Sequence, residues 1–150
     1  MSSIADNIGS VTRRIQKATL KAGRDPDSVR LLAVSKTRPP EDLRAAFEAG
    51  QQAFGENYLQ EALDKIDALD DLDGIEWHFI GPIQSNKTRQ IAEAFAWVHS
   101  VDRLKIARRL SEQRPASLPA LNICLQVNVN NEASKSGCTL DQLPELVSAL

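Results

Sequence analysis

LLAVSKTRPPEDLRAAFEAG, residues 31–50, holds a whole strand–turn–helix unit. Leu31, Leu32, Ala33 and Val34 form an uninterrupted apolar run, the pattern of a strand buried on both faces of a parallel sheet. Ser35-Lys36-Thr37 follows at once, so polar side chains arrive at the strand's carboxyl end. Pro39-Pro40 ends the extended segment and suits the first turn of a helix, where a missing N–H leaves no bond unmade. Leu43, Ala46 and Phe47 then share one helix face, and Gly50 stops the helix.

The same unit recurs along the chain. Ahead of it, Ile4, Ile8, Val11, Ile15 and Ala18 mark one face of a helix that Ser3 can cap and Gly23 can end; Asp25-Pro26-Asp27 makes a turn. Behind it, Ala53-Phe54-Gly55 reads as a second strand, followed by a helix carrying Leu59, Ala62, Leu63 and Ile66. The third strand is Ile75 to Ile80, with Ile75, Trp77 and Phe79 on one face and His78 on the other. Gly81-Pro82 breaks it, and a helix follows near Lys87 to Phe95. Ala96 to His99 is the fourth strand, and Asp102 is a suitable N-cap for a helix reaching Gln113. Pro115 and Pro119 bracket a loop. Ile123, Leu125, Val127 and Val129 alternate with Asn122, Cys124, Gln126 and Asn128 in a fifth strand. Leu143, Leu146, Val147 and Leu150 mark a last helix.

Strand–helix units spaced roughly 20 to 26 residues apart predict a parallel α/β sheet. A closed barrel and an open doubly wound sheet both satisfy this pattern. The final helix stops on its apolar face with no glycine cap and no polar tail, and five units do not close an eight-stranded barrel. Residues 1–150 are therefore expected to be one domain truncated at its C-terminus. Leu143, Leu146, Val147 and Leu150 are expected to lack partners.

Composition narrows the function. Apolar residues make up 42% and charged residues 25%, enough for a folded globular core. The net charge is −2 with acids and bases interspersed, so there is no basic stripe and nucleic-acid binding is not expected. No apolar run approaches the ~20 residues needed to span a bilayer. MSSIADNIGSVTRRIQKATL lacks the continuous apolar stretch of a secretory signal, so a cytoplasmic protein is expected and the sequon Asn86-Lys87-Thr88 is idle. Cys124 lies in the apolar alternation and Cys138 in a polar loop, which reads as one packing thiol and one bystander rather than a disulfide.

In parallel α/β folds ligands gather at the carboxyl ends of strands. The residues placed there are Ser35-Lys36-Thr37, Glu56-Asn57, Gly81 with Gln84 and Asn86, Ser100, and 128–131. Lys36 follows an apolar strand directly, which would set its amine in a low-dielectric mouth. Burial disfavours an ammonium ion, and a neutral amine is the form that makes a Schiff base with an aldehyde. A lysine that snorkels to solvent from a strand end is the other reading of the same position. Glu56 reads either as an acid–base residue or as an ion-pair partner. No G-x-G-x-x-G, Walker loop, G-x-S-x-G or H-E-x-x-H occurs. His78 and His99 are not at helical ligand spacing and no cysteine pair stands near them, so no metal site is expected.

Five segments in order, LLAVSKTRP (31–39), FGENYLQE (54–61), EWHFIGPIQSNK (76–87), VHSVD (98–102) and LQVNVNNEASKSG (125–137), resemble the pyridoxal phosphate homeostasis proteins, the YggS/PROSC group. The resemblance covers essentially the whole chain. It implies a (β/α)8 TIM barrel of the alanine racemase N-terminal type, of which about the first five βα units are present. It implies a protein that carries or buffers pyridoxal 5′-phosphate (PLP) in vitamin B6 homeostasis, through an aldimine on the strand-end lysine. By that resemblance three residues bind the cofactor: Lys36 of A-V-S-K carries it, Asn57 of G-E-N lies near it, and His78 of W-H-F-I-G points into the barrel mouth. Gln84, Asn86 and Lys87 match a further motif to which no role is attached. Ile83 stands where the family usually has leucine, a volume-conserving change. The family's chains run about half as long again, and their later strands supply a phosphate-binding loop and an arginine facing the pyridine nitrogen.

The alternative is a PLP-dependent enzyme of the alanine racemase type. Racemisation needs acid–base groups on both faces of the substrate Cα. The racemases bring a tyrosine from a second domain, whereas the one tyrosine here, Tyr58, begins a helix after the second strand. An arginine at the pyridine nitrogen also weakens the electron sink. A binder without turnover and without catalytic residues is therefore expected, with PLP-dependent apo-enzymes as recipients and a monomer at full length. A general α/β interaction domain with an incidental lysine is a third reading; a yellow band on mixing with PLP separates it from the other two.

Overall fold

The structure, a computed structural model, describes residues 2–150. Helix α1 (Ile4–Lys21) starts where Ser3 and Asp6 cap one another: the Ser3 hydroxyl accepts the Asp6 N–H at 3.1 Å and the Asp6 carboxylate accepts the Ser3 N–H at 3.2 Å. It ends at Ala22, with Gly23 at φ 70° in the left-handed position that glycine adopts without strain. There follow β1 (Ala33–Val34), α2 (Pro40–Glu48), β2 (Ala53–Glu56), α3 (Leu59–Ala68) and β3 (Glu76–Phe79). A 3-10 turn (Ser85–Lys87) then leads into α4 (Thr88–Ala94), β4 (Trp97–Val101), α5 (Leu104–Gln113), β5 (Asn122–Leu125) and α6 (Leu143–Ala149).

The five strands are parallel and lie in the order β1-β2-β3-β4-β5. An open doubly wound sheet would reverse order at a switch point, so the barrel arrangement is the one observed. Register sorts the side chains into two faces. Ala33, Phe54 and Trp77 are paired across β1, β2 and β3, and Phe79, Val98 and Ile123 across β3, β4 and β5. These residues pack with Leu43, Ala62, Ile91, Ile106 and Leu110 of the helices to form the core. The Phe79 ring meets Phe95 edge-on at 5.3 Å. The other face carries Val34, Gly55, His78, Trp97 and Asn122 in matching register.

Local readings differ from the structure at several places. β1 spans Ala33–Val34 rather than the whole run from Leu31, because it is an edge strand paired only with β2; Leu31 instead gives its carbonyl to the Gln51 side chain at 2.8 Å. β5 stops at Leu125, and Val127 makes an isolated bridge to Cys138. Cys138 is thereby buried at 4% exposure and is no bystander. Asp102 does not cap α5; Arg103 holds the N-cap position, and the Asp102 carboxylate accepts the Gly137 N–H at 3.1 Å. Leu146 is buried, contrary to expectation, while Val147 and Leu150 are each 55% exposed. Among the described residues no helix is long and apolar enough to cross a membrane.

Candidate functional site

The carboxyl end of β1 runs into a tight turn. Ser35 N–H donates to Gly55 carbonyl at 2.9 Å, the last rung of the β1–β2 ladder, and Arg38 N–H donates back to Ser35 carbonyl at 3.1 Å. Thr37 holds φ at 64°, a region that β-branched residues seldom enter. Its N–H is donated to the Glu61 carboxylate at 2.6 Å. Lys36 sits at the tip of this turn and is exposed. Among the described residues its amine has no hydrogen-bond or ion-pair partner. β1 pairs only with β2, so the strands described do not form the apolar mouth expected around Lys36.

Beneath the turn lies a buried charge cluster. Glu56 faces the helix layer with its side chain 0% exposed, and Lys65 of α3 reaches it with 4%. The Lys65 ammonium donates to both Glu56 oxygens at 3.0 Å, to Glu61 at 2.8 Å and to the Ser35 carbonyl at 2.7 Å. The Ser35 hydroxyl donates to Glu56 as well. Glu56 is thus an ion-pair partner, out of reach of any substrate. The Lys65 ammonium holds the Glu61 carboxyl below the usual carboxylate range; burial opposes this and the Thr37 N–H reinforces it. Sequence reasoning missed Lys65. The available signal was its place in the series Ala62, Lys65, Leu69 on the buried stripe, with Glu61 four residues before it.

Asn57 follows β2 directly and is half-buried. Its side-chain oxygen is buried with no hydrogen-bond donor, the one such side-chain atom among the described residues. Gly81, after β3, lies against it so closely that a β-carbon there would stand 2.3 Å from the Asn57 carbonyl oxygen. The Ser100 hydroxyl donates to the Gly81 carbonyl. The ends of β2, β3 and β4 are therefore laced together through Asn57, Gly81 and Ser100. Asn57 also borders a cleft of about 520 Å³ with Tyr58, Phe79, Pro82, Gln84 and Lys87. Two residues of the unassigned Gln84–Lys87 motif thus reach the neighbourhood of Asn57, while Asn86 is exposed outside the cleft.

His78 lies lower, within β3. Its ring stacks on Trp97 at 5.6 Å with planes 2° apart. Its Nε2 is 2.7 Å from Glu76, which also pairs with Arg30 at 3.0 Å, and its Nδ1 is 2.8 Å from His99 Nε2. Burial lowers the pKa of His78, with the Glu76 carboxylate opposing; burial lowers that of His99 too. The pairings Val34 with Gly55 and Gly55 with His78 put Lys36 and Asn57 at one level, two residues above His78. The structure brings Lys36 and Asn57 onto adjacent strand ends and leaves His78 beneath them with both ring nitrogens engaged.

Residues 6–150 match the family model described as alanine racemase, N-terminal domain. The chain is 66% identical over 150 residues to a Pseudomonas aeruginosa protein named pyridoxal phosphate homeostasis protein, covering 100% of this chain and 65% of that one. The solved structure of PipY from Synechococcus elongatus with PLP bound is 38% identical, with a TM-score of 0.73 over 90% of this chain and 64% of PipY. An alanine racemase from Corynebacterium glutamicum superposes at a TM-score of 0.63 with 18% identity, over 97% of this chain and 40% of the racemase, a likeness of fold alone. The 65% share of the Pseudomonas relative agrees with the expectation that family chains run about half as long again.

Proposed function

Because the chain belongs to the alanine racemase N-terminal domain family, we propose that it binds PLP at Lys36 and serves to carry or buffer the cofactor. The observation behind this reading is that two adjacent strand ends carry an exposed lysine, Lys36, and an asparagine, Asn57, whose buried side-chain oxygen has no donor. A buried amide oxygen with no donor costs about 1–3 kcal/mol, so a ligand bearing a hydroxyl donor fits it. PLP supplies an aldehyde carbon, a phenolic hydroxyl and a phosphate dianion when bound. Lys36 offers the amine that meets the aldehyde, and its exposure leaves that amine accessible to the cofactor. Asn57 offers the acceptor. His78 supports the site from one level lower, its ring fixed by Glu76, His99 and Trp97.

Binding without turnover is part of the same reading. Tyr58, the one tyrosine, is 55% exposed at the start of α3, and racemisation would need a second acid–base group across the substrate. Residues 1–150 are read as one PLP-binding domain corresponding to the first five units of the barrel, in a cytoplasmic protein that is monomeric at full length and delivers to PLP-dependent apo-enzymes. The name of the Pseudomonas relative and the PLP in PipY support the binding role. A stoichiometric PLP titration followed by absorbance tests it: the chain develops a yellow band that Lys36→Ala loses. An unchanged band in Lys36→Ala would remove Lys36 from the account. Racemase assays on alanine near the ~10 s⁻¹ typical of enzymes would contradict a carrier.

A further inference from the structure

Both neighbours of Lys36 are tied down, and the Thr37 hydroxyl donates to the Lys36 carbonyl at 2.6 Å, while the Lys36 amine is left free to swing. Thr37 stays at φ 64° while its N–H is held by Glu61 at 2.6 Å, and the direction in which Lys36 leaves the sheet depends on that geometry. On the other side, the Ser35 carbonyl accepts from Lys65 at 2.7 Å and the Ser35 hydroxyl donates to Glu56. Lys65 in turn binds Glu61 at 2.8 Å, so the two restraints form one network. A buried lysine with two carboxylates is a poor way to stabilise a fold, since apolar side chains of the same size do as well. These groups converge on one turn, whose remaining side chain is the amine. The geometry points to Glu61 and Lys65 as positioning residues for Lys36, an inference that rests on the PLP reading above. By fixing the backbone on either side, they confine the amine to the arc its four-carbon stem allows and shorten the search for the aldehyde.

Glu61 offers the cleaner test, because it is partly exposed and its loss leaves the Glu56–Lys65 pair in place. Glu61→Ala removes both of its bonds, Glu61→Asp shortens the reach by one methylene, and Glu61→Gln keeps an oxygen for Thr37. In the cofactor-free chain, amide hydrogen exchange at Thr37 should rise about tenfold in Glu61→Ala and Glu61→Asp. After brief exposure to PLP and borohydride, the labelling rate of Lys36 relative to the other lysines should fall about tenfold in the same two variants. Glu61→Gln should restore both to within about threefold. Faster Thr37 exchange with an undiminished Lys36 share overturns the positioning role and leaves the PLP reading standing. Unchanged Thr37 exchange also overturns it, since Glu61 would then not hold the turn. An unsubstituted chain that takes no label at Lys36 overturns the PLP reading, and the positioning role with it.

Discussion

His78 Nδ1 lies 2.8 Å from His99 Nε2, and His78 Nε2 lies 2.7 Å from the Glu76 carboxylate. A carboxylate only accepts, so His78 Nε2 carries a proton. Burial lowers the pKa of both rings, which keeps them neutral. Neutral His78 then presents a bare Nδ1, and His99 must donate from Nε2, which leaves its own Nδ1 bare. Nitrogen NMR at neutral pH should find both rings as Nε2–H tautomers. A protonated Nδ1 on either ring would contradict the chain of bonds.

The same pair sets a pH dependence. Its folded pKa values lie below the ordinary 6.5, so as pH falls through 6.5 the unfolded imidazoles take protons and the folded ones do not. Stability is full above that value and falls below it. Arg30 also faces the Glu76 carboxylate and lowers the His78 pKa further, while Glu76 raises it. Glu76 itself is held low by His78 and Arg30 against its burial, so its contribution is lost only at pH below the ordinary 4.5. Urea midpoints should therefore drop between about pH 7.5 and about pH 5.5, and His78→Gln/His99→Gln should flatten that slope. An equal slope in the double variant would assign the drop to other groups.

Lys65→Met should be severely destabilising. It leaves the Glu56 carboxylate, 0% exposed, without its cation, and breaking such a pair costs about 3–5 kcal/mol. Replacing both partners, as in Lys65→Met/Glu56→Leu, should recover most of that loss. Denaturant unfolding of the single and double variants measures it. A double variant no more stable than the single would show that the Ser35 bonds, not the ion pair, dominate.

Gly81→Ala should be costly without any change in polarity. The added β-carbon would meet backbone, 2.3 Å from the Asn57 oxygen and 2.9 Å from its Cα, and backbone cannot swing aside. Overpacking of this kind typically costs about 1–3 kcal/mol. The melting temperature should fall and PLP affinity with it, because Asn57 is displaced. A variant as stable and as tightly binding as the parent would mean that this contact does not position Asn57.

The five strand–helix units, their parallel pairing and the Ser3 cap were legible because each rests on local periodicity or on a short capping pattern. Place marked Lys36 as one of several polar residues at strand ends, and the A-V-S-K resemblance singled it out among them. Its exposure was not legible, because that depends on which strands flank β1. Lys65 lies on the buried stripe of α3, and only the tertiary approach of Glu56 and Ser35 makes its burial tolerable. Asp102 had the chemistry of a cap yet bonds Gly137, since the loop after β5 competes for the same carboxylate. The orphaned Asn57 oxygen and its contact with Gly81 belong wholly to three-dimensional packing.

The most direct measurement is peptide mapping of the chain after one equivalent of PLP and borohydride reduction. The phosphopyridoxyl group should sit predominantly on the peptide containing Lys36 and vanish from the map in Lys36→Ala. A reduced adduct found mainly on another lysine, or spread evenly over the surface lysines, would contradict it.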